Sequence, residues 1–107
     1  MNISYEGKAF ALHAPTAAAT FKLLANEQRL LLLYHIAHKE VQVGELVQRS
    51  GLPQSSVSQH LARLRAGGLV VTRRKGTVIF YRLAHPGISI LMQFINAYFE
   101  EIRPQFL

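Results

Sequence analysis

From Ser55 onward, Ser58, Gln59 and Arg63 recur at the intervals that bring side chains back to one side of an α-helix. Their chemistry is hydrogen bonding to flat polar edges. Gln can meet adenine with a donor and an acceptor, Arg can fork onto guanine, and Ser serves bases or phosphates. On a wheel of about 100° per residue, Val57, Leu61 and Leu64 cluster within about 60° on the other side. Ser55, Ser58, Gln59, Ala62 and Arg63 therefore lie on the side and back of this helix. No carboxylate stands among them to repel a phosphate. His60 falls beside the apolar face, which favours a histidine packed or hydrogen-bonded at the edge of a core over the alternative of a base reader.

A second set lies nearby. Arg73, Arg74 and Lys75 precede Gly76 at the tip of a hairpin, where three adjacent cations repel one another unless phosphates or a minor groove neutralise them. No carboxylate side chain occurs between Glu45 and Glu100, while Arg49, Arg63, Arg65, Arg73, Arg74, Lys75 and Arg82 do. A solvated basic surface would also carry such a run, but a one-sign stretch this long favours a polyanionic partner.

Covalent chemistry has little to work with. The chain has no cysteine, which excludes disulfides, thiolate–metal sites and thiol redox sensing. All six acidic residues are Glu, so a Ser-His-Asp triad is impossible unless Glu stands in for Asp. No nucleophile, base and orienting acid fall together, and neither an enzyme nor a cofactor is expected.

These residues need elements to hold them. Ala14 to Leu24 reads as a short helix, and the opening residues to His13 as either irregular or a loosely attached helix. Asn26 is a good N-cap and Glu27 complements the dipole of a helix running to about His38. That helix is apolar on nearly every face (Leu30, Leu31, Leu32, Leu33, Tyr34, Ile36), the pattern of a buried central helix. A short helix spans about Val43 to Arg49 and ends at Gly51. Pro53 suits the first turn of the next, which runs to Ala66 and stops at Gly67-Gly68. The three-residue turn Gly51-Leu52-Pro53 makes this pair a helix-turn-helix, whose second helix enters the major groove of double-stranded DNA. Leu69 to Arg73 and Val78 to Leu83 read as strands, and a last helix runs from near Pro86 to about Ile102.

The fold class is thus mainly α with a small β-hairpin. At 107 residues the chain is one domain: 43–66 the helix-turn-helix, 69–83 the wing, and 14–24 and 86–102 dimerisation helices. In the last of these, Leu91, Phe94, Ile95 and Tyr98, with Ile88, Ile90 and Phe99, cover more than one face. A domain of this size can bury one such stripe itself; the surplus favours association. The longest apolar stretch, Leu30 to Tyr34, is too short to cross a bilayer. The opening residues lack the layout of a signal peptide, so a cytoplasmic protein is expected.

With those residues in place, the chain resembles the ArsR/SmtB family of bacterial winged-helix regulators. The likeness covers roughly Thr20 to Phe99. It rests on Leu24-Ala25-Asn26-Glu27-Gln28-Arg29-Leu30, Val43-Gly44-Glu45-Leu46, Gln54-Ser55-Ser56-Val57-Ser58-Gln59-His60-Leu61, Leu64-Arg65, Gly68-Leu69-Val70 and Phe80-Tyr81-Arg82-Leu83. It implies a homodimer that binds an imperfect inverted repeat and usually represses. It also implies base contacts from Gln54, Ser55, Ser58 and Gln59, with Arg73, Arg74 and Lys75 on the backbone; Gln54 enters chiefly on this ground.

The family's known inputs fit poorly. Arsenic and cadmium sensors carry thiolates where this chain has Val41-Gln42-Val43. Zinc sensors use Asp and His at positions matched here by His85, Gly87, Tyr98 and Glu101, of which two can ligate. Thiol switches pair cysteines at positions matched by Tyr34 and Glu100. His35 and His38, spaced i, i+3, could share a nickel, cobalt or zinc ion with His13 or His85, though such pairs are more often plain helix surface; no metal is assigned. The resulting expectation is a sequence-specific repressor with a non-thiol or unknown inducer. The alternative is an architectural protein that binds DNA without ligand control or sequence preference. A partner-binding module with a vestigial DNA face is a further class, disfavoured by the Gln and Ser on the outer face.

Overall fold

A computed structural model describes the backbone of residues 3–106 and the side chains of residues 7–103. Five helices and three strands follow in the order α1 (Ile3–Leu24), α2 (Glu27–Ile36), β1 (Val41–Gln42), α3 (Val43–Ser50), α4 (Gln54–Ala66), β2 (Val70–Lys75), β3 (Val78–Leu83) and α5 (Pro86–Phe106). The strands form an antiparallel sheet in the order β1-β3-β2. This is a winged helix-turn-helix architecture, α3 and α4 being the pair and β2–β3 the wing.

The punctuation follows local chemistry. Asn26 sits extended before α2, and its side chain accepts the Arg29 N–H at 3.0 Å, satisfying one of the helix's orphan donors. Gly51 closes α3 at φ 71°, ψ 7°, a left-handed conformation that glycine adopts without Cβ strain. Val57, Leu61 and Leu64 are wholly buried, so the apolar side of α4 meets α2, α3 and β2 around a core centred on Leu32, Leu33, Ile36 and Leu46.

Several expectations need correction. α1 begins at Ile3, so of the two forms expected for the opening it takes the helical one and runs on without a break into the helix expected from Ala14; Met1 and Asn2 lie outside the described residues. From Gly7 to His13 every side chain is exposed, so this half offers no buried stripe for periodicity to register, while Ala9, Ala11 and Ala14 supply helix propensity. The two-residue strand β1 was not anticipated. It is too short to alternate visibly and exists because Val41 and Gln42 pair with Tyr81 and Phe80.

The three wing cations lie within β2, not in the turn, which is Gly76-Thr77. Gly76 has φ 63°, and with no positive φ at Thr77 the turn carries the sign pattern of type II′, glycine first. α2 ends at Ile36 and is not buried all round: Leu31 and Tyr34 are exposed. Pro53 precedes α4 instead of occupying its first turn. α5 extends to Phe106, beyond the expected end at about Ile102.

Candidate nucleic-acid interface

Burial of Val57, Leu61 and Leu64 fixes the rotation of α4 and so decides what faces outward. Gln54, Ser55, Ser58, Gln59 and Arg63 are all exposed, together with Ala62, and that surface bears no carboxylate. The helix carries no acidic residue in its first turn either, which leaves its partly positive N-terminal end available to an anion. Five donor- and acceptor-bearing side chains on one solvent-facing helix surface match what the major groove presents.

The wing cations divide by environment. Arg73 is tied to Glu40, its Nε donating to both carboxylate oxygens at 3.1 Å and an Nη to Oε1 at 2.6 Å. Its guanidinium lies 4.7 Å from the centre of the Phe80 ring, the residue paired with Arg73 on one side and Gln42 on the other. Arg73 thus reaches across β3 to the residue preceding β1. These hydrogen bonds hold the Glu40 carboxyl below its ordinary pKa. Arg74 and Lys75 are exposed and make no ion pair among the described residues. The Glu40 anchor was invisible in sequence, since 33 residues separate the partners.

The expected association residues also divide. Leu91 and Ile95 are half-buried against the core, whereas Phe94 is 65% and Tyr98 47% exposed, their rings stacked with centres 6.2 Å apart. Ile90 and Phe99 extend this outer apolar face, and α1 adds Phe10, Leu12 and Phe21. Between α2 and α5 runs a groove of about 340 Å³ lined by Leu30, Leu31, Tyr34, Met92, Ile95 and Asn96.

The remaining histidines are not brought together. No group of three His, Cys, Asp or Glu residues placed to hold a metal occurs among the described residues. His38 packs edge-on against Tyr34 with ring centres 4.8 Å apart, and His85 Nδ1 accepts the Gly87 N–H at 2.9 Å. No helix is long and apolar enough to cross a membrane among the described residues.

Residues 26–78 match the MarR family, a stretch running from the cap of α2 to the first residue of β3 without the terminal helices. The HTH-type transcriptional regulator KmtR of Mycobacterium tuberculosis is 47% identical over 72 residues, 67% of this chain and 55% of that protein. The chain thus matches little more than half of that relative. The transcriptional activator HlyU of Vibrio cholerae is 40% identical over 80 residues, 75% of this chain and 74% of that protein. The solved structure of reduced HlyU superposes with a TM-score of 0.78 at 35% identity, covering 86% of this chain and 97% of that one. A homodimeric winged helix-turn-helix DNA-binding domain from Mycobacterium bovis, Mb0332, described as a possible ArsR-family regulator, gives 0.76 at 32% identity over 85% and 84%.

Proposed function

The chain belongs to the ArsR/SmtB-type winged helix-turn-helix transcriptional regulators, and on that premise we propose that it is a homodimeric repressor reading an inverted-repeat operator. One observation carries the reading: the outer face of α4 is exposed, rich in hydrogen-bonding groups and free of carboxylates, while its inner face is wholly buried. Gln54, Ser55, Ser58, Gln59 and Arg63 contact bases and adjoining phosphates. Arg74 and Lys75 neutralise backbone phosphates, and Arg73 offers the N–H groups that Glu40 leaves free.

The exposed apolar faces of α1 and α5 supply the dimer contact, with Phe94 and Tyr98 at its centre and Leu91 and Ile95 joining it to the core. Two-fold symmetry then sets the recognition helices about one DNA turn apart. Repression follows from occlusion, a small protein seated on promoter DNA denying it to polymerase. HlyU bears the name of an activator, so operator position decides the sign. The protein works in the cytoplasm as a single domain and performs no catalysis, and its inducer is not a thiol-directed one, since it has no cysteine.

The test is competition between the protected sequence upstream of its own gene and a scrambled duplex at fixed salt. A specific regulator prefers the former by about a thousand-fold or more. No preference would make it an architectural DNA binder.

A further inference from the structure

Among the described residues, Arg29 is the one charged side chain that is buried, at 8% exposure. Among those residues no carboxylate pairs with it. Burying a charge without a counter-ion is costly unless hydrogen bonds replace its hydration, so its actual partners identify what it does. Its Nε donates to the Leu23 carbonyl at 2.6 Å, in the last turn of α1. One Nη lies 3.5 Å from His60 Nδ1, in the middle of α4. On the opposite edge of that ring, His60 Nε2 is 2.7 Å from Gln28 Oε1. An amide oxygen only accepts, so Nε2 carries the hydrogen and Nδ1 turns its lone pair toward the guanidinium. Leu23 also touches the end of α4 directly: a Cβ at Gly67, just beyond the helix, would force the Leu23 Cδ2 methyl to shift.

We propose that the Leu23–Arg29–His60–Gln28 chain is a clamp that sets the rotation of α4 and ties it to the end of α1, making His60 and Arg29 positioning residues for sequence readout. This rests on α4 being the helix that reads DNA. His60 is flanked by Gln59 and sits one turn before Leu64, so bonding both ring nitrogens to α2 removes the helix's freedom to roll. A roll of about 20° sweeps a side-chain tip at the outer radius of about 5–6 Å through about 2 Å. Hydrogen bonds tolerate only about half an ångström. Phosphate contacts, being less directional, survive such a roll. The clamp therefore governs discrimination rather than overall affinity. Because its far end is Leu23, the same contacts pass any displacement of α1, which bears Phe10, Leu12 and Phe21 on its exposed side, to the reading helix.

The experiment measures binding to the operator and to a scrambled duplex at two salt concentrations, for wild type and for His60→Leu, His60→Gln, Gln28→Leu and Gly67→Ala, each checked for helicity and oligomeric state. Wild-type preference for the operator is established first, since its absence defeats the reading of α4 and not the clamp. Given that preference, His60→Leu should lower the operator-to-scrambled ratio about ten-fold with the scrambled affinity and salt slope unchanged. His60→Gln, which returns a donor toward Gln28, should recover most of it. Gln28→Leu, which leaves the buried arginine untouched, and Gly67→Ala, which presses on Leu23, should each lower the ratio about three-fold. A ratio within two-fold of wild type in His60→Leu, equal losses on both duplexes, or no rescue by His60→Gln overturns the clamp. Should His60→Leu fail to fold, an unchanged ratio in Gln28→Leu overturns it.

Discussion

Arg73 and Glu40 join the wing to the segment entering β1, with three nitrogen–oxygen contacts of 2.6 to 3.1 Å laid over the Phe80 ring. A cation already matched by a carboxylate gives less to a phosphate than a free one does. Removing the carboxylate should therefore strengthen binding to random DNA. Glu40→Gln is expected to lower the Kd for a scrambled duplex and steepen its salt dependence, by up to about one unit of slope. Arg74→Ala with Lys75→Ala should flatten that dependence by about two units. A titration of affinity against salt over both variants checks the pair; a Glu40→Gln slope no steeper than wild type would show that Arg73 never reaches the DNA.

Association should depend on Phe94. At 65% exposure it contributes little to the fold of a single chain, so Phe94→Glu ought to yield a folded monomer in sedimentation at micromolar concentration. Placing an unpaired carboxylate in a dry interface costs about 3–5 kcal/mol. A soluble Phe94→Glu dimer would relocate the interface.

Specificity should depend on Gln59. It stands on the exposed side of α4 with Ser55 one turn before it. Gln59→Ala is expected to cost about 1–3 kcal/mol on the operator and much less on a scrambled duplex, where phosphate contacts dominate. Adding Ser55→Ala should deepen the operator loss alone. Equal losses on both duplexes in a competition assay would remove Gln59 from base readout.

Acid should weaken the fold through His60. Burial first, then the charges of Arg29 on α2 and Arg63 on its own helix, holds this imidazole below its ordinary value of 6.5. The unfolded chain accordingly takes up a proton that the folded one resists. The stabilisation is complete above pH 6.5 and is lost as pH falls below that toward the folded value. Glu40, also lowered but an acid, loses its contribution only below 4.5, so the two windows separate. Urea unfolding midpoints measured from pH 7.5 to 5 should decline for wild type and less steeply for His60→Gln; parallel curves would assign the decline elsewhere.

Legibility in the sequence followed the range of the cause. The inner face of α4 was readable because Val57, Leu61 and Leu64 repeat at helical spacing, and Asn26, Gly51 and Gly76 mark their boundaries through their own backbone preferences. From Gly7 to His13 α1 left no pattern because its side chains face solvent all round. β1 owes its existence to a partner strand some forty residues later. Arg73 with Glu40, and Arg29 with His60, are pairings across more than thirty residues, which periodicity and turn chemistry do not encode. The outward polar set was legible; what orients it was not.

The long α1, its Phe10 68% and Leu12 81% exposed, has a consequence for how much protein the cell must make. A chain of 107 residues packed to ordinary density has a radius of gyration of about 13 Å, against 16.2 Å here. The proposed dimer would cover the exposed apolar side of this helix. Part of the folding free energy is then supplied by mass action, so the melting temperature should climb with concentration, and freshly synthesised chains below the dimerisation constant are the ones proteases remove. For the proposed dimeric repressor, operator occupancy at low expression would rise as the square of chain number, turning a modest change in synthesis into a sharp threshold for silencing.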